Sequence, residues 1–105
     1  MIRADTILMA ARSLLAAAPA SRVILFGSHA RGNAGPESDL DFLVIEPRVK
    51  SRRDEMVRLG DVLRALGIYA DVLVLSEQDF QDWRDEPGTV FHEAARTGKV
   101  FDAPG

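Results

Sequence analysis

Apolar residues along this chain recur with two different periods, which predict helices and strands in alternation. A helical period over residues 5–18 predicts a first helix, with Asp5 as its N-cap and Pro19 as its stop. Apolar positions also predict a helix at residues 52–66, and caps and breakers predict short helices at residues 78–83 and 89–97. Short apolar runs bounded by turn residues predict strands at residues 22–26, 39–45 and 69–75, and a short fourth strand at residues 99–102.

This order of elements predicts a small α/β (α+β) domain, with helices packed on a mixed β-sheet. With 105 residues, the chain has enough length for one domain, which we expect to span residues 1–105. Ser51 and Ser76 are expected to cap helices, and Gly67 is expected to end one. Phe80 and Trp83 are expected in the core, with a partner-binding patch as the alternative.

The strongest chemical signal is Gly27-Ser28, followed after ten residues by Asp39-Leu40-Asp41. Carboxylates at i and i+2 of a strand point to the same face, where they repel each other unless a cation lies between them. Oxygen ligands of this kind suit Mg²⁺. The Gly-Ser turn offers backbone N–H groups and a hydroxyl to phosphate. Together these features indicate metal-assisted transfer from a nucleoside triphosphate.

A third carboxylate, Asp71, begins the otherwise apolar strand at residues 69–75. A charge there is costly to bury without a partner. If this strand lies beside the strand that carries Asp41, Asp71 completes an acidic cluster that binds metal and positions or deprotonates an attacking hydroxyl.

The pattern GS-x10-DxD, with Ala30-Arg31-Gly32 just after the Gly-Ser pair and Ser38 directly before the acidic run, resembles the DNA polymerase β-type nucleotidyltransferase superfamily. The size of the chain is similar to that of the minimal nucleotidyltransferases. The resemblance implies the nucleotidyltransferase fold, ATP as substrate and two Mg²⁺ ions. It also implies metal-binding catalytic roles for three aspartates, Asp39, Asp41 and Asp71.

Nucleotide binding is expected at Gly27, Ser28 and Arg31. Gly27 would let the triphosphate approach the backbone, and Ser28 would donate its hydroxyl to a phosphate oxygen. Arg31 would either neutralise phosphate charge or pair with an acidic neighbour. A P-loop is not expected, because Asn33-Ala34 stands where that motif needs Lys and Ser or Thr.

The composition and net charge of the chain restrict the classes of molecule that it is expected to bind. The net charge of −3 disfavours electrostatic binding to the nucleic-acid backbone. An acidic domain is instead suited to a basic protein partner. The absence of Cys excludes disulfides and thiolate metal sites, and no apolar run has the length of a membrane span. We therefore expect a cytoplasmic protein.

The resemblance further implies an antitoxin that transfers AMP from ATP to a tyrosine of a HEPN-domain RNase toxin. Two alternatives stay open at this point. One is a non-catalytic antitoxin that neutralises its toxin by binding, and the other is a nucleotidyltransferase acting on a small molecule.

Overall fold

The computed structural model describes residues 4–27, 30, 32 and 40–102. Its helices include α1 (Ala4–Ala17), α2 (Arg52–Ala65), α3 (Glu77–Trp83) and α4 (Val90–Thr97). Its strands are β1 (Arg22–Phe26), β2 (Leu40–Glu46), β3 (Ala70–Ser76) and β4 (Lys99–Asp102). The predicted alternation of helices and strands is therefore confirmed.

The strands form one mixed sheet in the order β3-β2-β1-β4, as far as the described residues extend. Strand β1 pairs antiparallel with both β2 and β4. Strands β2 and β3 are parallel, and α2 provides the crossover that parallel neighbours need. The predicted mixed sheet is confirmed, and the third strand along the chain does lie beside the second.

Alternation along the strands divides the core between the two faces of the sheet. Leu40, Phe42 and Val44 face the cluster that also holds the buried residues of α1 and α2. Leu43 and Ile45 face the other way, into a cluster with residues of α3 and α4. Strand β2 is thus covered on both faces over most of its length, which explains its nearly continuous apolar run.

Local capping follows the sequence at most helix ends. The hydroxyl of Ser51 accepts a bond from the Asp54 N–H at 3.3 Å, and Ser76 caps α3 in the same way. Gly67, with φ of +73°, follows the C-terminal cap of α2 and donates its N–H to a carbonyl of the last turn. The prediction of Asp5 as N-cap was wrong. Helix α1 already includes Ala4, so Asp5 lies in the first turn, where its charge complements the helix dipole.

The two aromatic residues of α3 differ in burial. Phe80 is 1% exposed and confirmed as core, with the guanidinium groups of Arg22 and Arg84 stacked near its ring. Trp83 is 48% exposed, so the prediction that it lies in the core was wrong. It is the last residue of α3, directly before the C-terminal cap Arg84. No helix in the described ranges is long and apolar enough to cross a bilayer.

Candidate active site

Asp41 and Asp71 are direct neighbours across the parallel strands β2 and β3. Paired residues in a sheet share a face, and the strands themselves lie about 4.8 Å apart. The next residues on this face, Leu43 and Leu73, lie in or against the core cluster beneath α3 and α4. The two carboxylates therefore lie at the edge where β2 and β3 begin, just before the apolar part of that face.

Gly27 brings the end of β1 against the same site. The preceding residue, Phe26, pairs with Asp41 across β1 and β2. A Cβ atom on Gly27 would stand 2.6 Å from the Oδ2 atom of Asp41, closer than real Cβ contacts come. Gly27 also has φ of +79°, which favours glycine. Because Gly27 has no side chain, there is room for the Asp41 carboxylate at this position. The sequence pattern did not reveal this role of Gly27.

The two carboxylates differ in their surroundings. Asp41 is half-buried against the Gly27 turn, whereas Asp71 is exposed on the edge strand β3. Like charges at paired positions destabilise a sheet unless a cation or a donor compensates them. Hard oxygen ligands open to solvent on one side match what Mg²⁺ accepts, because this ion keeps several waters and bridges to phosphate. The donor chemistry therefore fits a divalent cation.

Half of the predicted site lies outside the described residues, namely Ser28, Arg31 and Asp39. Within the described ranges, no group of three or more acidic, His or Cys side chains is placed to hold a metal ion. The cluster of three aspartates thus stays a prediction. Of the predicted residues, the structure brings together Gly27, Asp41 and Asp71.

The model of the nucleotidyltransferase domain family matches residues 9–95. The chain belongs to that family. Its enzyme class is accordingly nucleotidyl transfer, as the motif predicted. None of the curated proteins matches the chain.

Two solved structures share the fold of this nucleotidyltransferase. One is a toxin–antitoxin crystallised with AMP-PNP, with a TM-score of 0.59 and 20% identity. The other is a mutant of the toxin–antitoxin MntA-HpeT carrying two aspartate-to-glutamate substitutions, with a TM-score of 0.58 and 19% identity. In each case the match covers 97% of this chain and 75% of the other. At such identities the likeness shows a shared fold.

A second cluster of charges lies at the opposite end of β2, beside a cavity of about 380 Å³ that Glu55 and Arg58 help to line. Burial, and then a hydrogen bond with Glu55, raise the pKa of Glu46 to about 7. A hydrogen bond from Arg58 lowers the pKa of Glu55 to about 2. Arg58 also donates to the Ala17 carbonyl at 3.0 Å, so this cluster ties α1, α2 and β2 together.

Two further polar side chains of the nucleotidyltransferase, those of His92 and Arg52, stabilise the fold. The His92 ring lies 3.0 Å from the Arg84 carbonyl, a contact that fixes the start of α4. In the basic segment after β2, Arg52 donates its Nε–H to the Val74 carbonyl at 2.7 Å, which satisfies a backbone group on the edge strand β3.

Proposed function

We propose that this nucleotidyltransferase is a single domain over residues 1–105 and acts as an antitoxin. It transfers AMP from ATP to a tyrosine hydroxyl of a HEPN-type RNase toxin. The membership of the nucleotidyltransferase family supports the reaction class. Two toxin–antitoxin structures with the same fold, one of them holding AMP-PNP, support the partner and the nucleotide. The carboxylates of Asp41 and Asp71, at the edge where β2 and β3 begin, support this edge as the proposed location of the transfer reaction.

The observation that carries the proposal is the pairing of Asp41 with Asp71 beside the Gly27 turn. Two carboxylates at paired positions face the same way, and a cation bound between them would offset their repulsion. A protein that neutralises a toxin by binding alone has no need of that arrangement. Metal-dependent transfer needs it, together with a neighbouring turn that accepts phosphate.

Asp41 and Asp71, joined by Asp39, would hold two Mg²⁺ ions. When bound, the metal would stabilise the charge that develops on the attacking and leaving oxygens. Gly27 and Ser28 would hold the phosphates through backbone N–H groups and the hydroxyl. Arg31 would either neutralise phosphate charge or pair with an acidic neighbour and hold the loop.

Asp71 would orient the acceptor hydroxyl, or take its proton, as the oxygen attacks the α-phosphorus. A bond forms between that oxygen and phosphorus, the bond to the β-phosphate breaks, and pyrophosphate leaves. Asp71 suits this role because it is exposed on the edge strand, where a second protein can approach.

The acceptor is proposed to come from the toxin, because the two toxin–antitoxin structures with this fold support a protein partner. The described elements after β3, two short helices and a four-residue strand, pack on β1, β2 and β3. The net charge of −3 also suits a basic protein partner.

The test is transfer of label from α-³²P-ATP to the proposed HEPN-type toxin partner. Wild-type protein should label the toxin in a Mg²⁺-dependent reaction, and Asp41→Asn and Asp71→Asn should each abolish the label. Asp85→Asn, an exposed aspartate in the turn after α3, is the matched control and should retain activity. Toxin that is neutralised without label would favour the binding antitoxin, and a labelled metabolite would favour the small-molecule enzyme.

A further inference from the structure

Tyr69 is 75% exposed, the most exposed of the large apolar and aromatic side chains in the described ranges. It lies directly before β3 and two residues before Asp71. Large aromatic side chains left in solvent beside a reactive site are typical contact residues in protein interfaces. The surroundings of Tyr69 therefore bear on what the site binds.

The burial pattern places Tyr69 on the same side of the sheet as the carboxylates. Ile68 is buried in the cluster beneath α1 and α2, and Ala70 packs against that cluster. Residues between them in an extended chain point to the opposite side. That side carries Asp71, then Leu73 and Leu75 further along β3.

The backbone on both sides of Tyr69 is fixed. The Ile68 N–H donates to the Leu63 carbonyl at 3.0 Å at the end of α2, and Ala70 pairs with Leu40 in the sheet. An exposed ring on an anchored backbone loses little conformational freedom when a partner covers it. Such a residue is suited to binding.

The position of Tyr69 directly before β3 separates it from the expected phosphate site. Gly27 follows β1, whereas Tyr69 precedes β3, and β2 lies between them. Two strand spacings put these positions roughly 10 Å apart. In an in-line displacement the attacking and leaving oxygens lie on opposite sides of phosphorus. With the leaving phosphates toward β1, the acceptor approaches from the side of β3.

We propose, resting on the function proposed above, that Tyr69 is a binding residue for the acceptor protein. Its ring packs against the surface of the toxin next to the modified hydroxyl and sets the position of that hydroxyl at Asp71. Tyr69 thus contributes to the choice of acceptor and takes no part in binding the nucleotide.

The experiment compares Tyr69→Ala and Tyr69→Phe with wild type. Three quantities are measured: the KM for the toxin, the Kd for the toxin by surface plasmon resonance, and the Kd for a non-transferable α,β-methylene ATP analogue. We expect Tyr69→Ala to raise the KM and Kd for the toxin by about tenfold or more, as for an interface anchor, with the analogue Kd unchanged. Tyr69→Phe should stay near wild type because the ring does the packing. Val57→Ala removes an exposed apolar side chain from α2, on the other side of the sheet, and is the matched control.

The outcomes separate this inference from the function on which it rests. A toxin KM and Kd that rise no more in Tyr69→Ala than in Val57→Ala overturn the inference. A weaker analogue Kd with unchanged toxin binding also overturns it, since Tyr69 then stacks on the nucleobase. If wild type transfers no AMP, the proposed function fails, and the toxin Kd alone still decides whether Tyr69 binds the partner.

Discussion

Gly27 and Asp41 are in contact across the end of β1 and the start of β2, so closely that a Cβ atom on Gly27 would lie 2.6 Å from the Asp41 Oδ2 atom. The glycine of the Gly-Ser motif therefore has a steric role toward the acidic motif. One residue shapes the turn expected to hold phosphate and also sets the position of a proposed metal ligand. This contact links the two halves of the motif through space.

Gly27→Ala should therefore damage catalysis more than folding. The new methyl group pushes the Asp41 carboxylate aside, and a displacement near 1 Å in a catalytic site costs about 100-fold in rate. The measurement is kcat for AMP transfer together with the melting temperature. Gly88→Ala is the control, because Gly88 has a similar φ of +87° and no atom near its Cβ position. Equal loss of kcat in both variants would contradict the steric role of Gly27.

Asp71→Asn should stabilise the protein in the absence of divalent cations. Removal of one charge relieves the repulsion with Asp41 across β2 and β3, which is worth roughly 0.2–1 kcal/mol for paired positions. The melting temperature in EDTA should rise slightly, while the activity disappears. Asp85→Asn should change neither quantity. A lower melting temperature for Asp71→Asn in EDTA would show that this carboxylate stabilises the fold instead.

Glu46 should make stability fall as the pH rises. Its pKa is raised to about 7 in the folded protein by burial and by the hydrogen bond with Glu55, above the ordinary value of 4.5. The folded state thus binds the proton more tightly. Its stabilising effect is complete below pH 4.5 and is lost as the pH rises through 7. Glu55, with a pKa near 2, stays ionised throughout this interval.

Glu46→Gln tests this linkage. The amide stays neutral at all pH values, so the variant should exceed wild type in stability at pH 8 by on the order of 1–2 kcal/mol, after allowance for partial exposure. At pH 4.5 the two should be similar. Urea unfolding at both pH values gives the difference, with Glu86→Gln as an exposed control. A difference that is the same at pH 4.5 and pH 8 would rule out titration of Glu46 as the cause.

Two glycine substitutions should change stability in opposite directions. A Cβ on Gly98 would overlap Ile24 of β1 and the Ala94 carbonyl, so Gly98→Ala should destabilise by about 1–3 kcal/mol. The atoms nearest to a Cβ on Gly60 inside α2 would be those of the flexible Arg64 guanidinium, and Gly60→Ala should stabilise by about 0.5–1 kcal/mol. Thermal unfolding measures both. A stabilised Gly98→Ala would mean that α4 does not end against β1 in this way.

The sequence was sufficient for the elements of the fold because each carries a local signal. Helix caps such as Ser51 and breakers such as Gly67 indicate where helices begin and end, and the apolar run of β2 indicates a buried strand. Burial at the ends of elements was harder to predict. Phe80 and Trp83 share one short helix, yet Phe80 is buried in the cluster against the sheet and Trp83 is exposed, a difference that depends on tertiary packing.

The candidate site could be predicted in its chemistry but only partly in its geometry. The Asp-x-Asp spacing is local and indicates a shared face. The pairing of Asp41 with Asp71 depends on the register of two strands 30 residues apart, which no local pattern fixes. The contact between Gly27 and Asp41 likewise emerges only from the pairing of β1 with β2.

Binding of Mn²⁺ in the presence of a non-transferable ATP analogue, followed by electron paramagnetic resonance, tests most directly whether Asp41 and Asp71 form one metal site. We predict tight binding by the wild-type protein and by Asp85→Asn, and at least about tenfold weaker binding by both Asp41→Asn and Asp71→Asn, as loss of a charged ligand requires. Unchanged Mn²⁺ affinity in Asp71→Asn would contradict the account, because the aspartate paired with Asp41 would then have no part in binding metal.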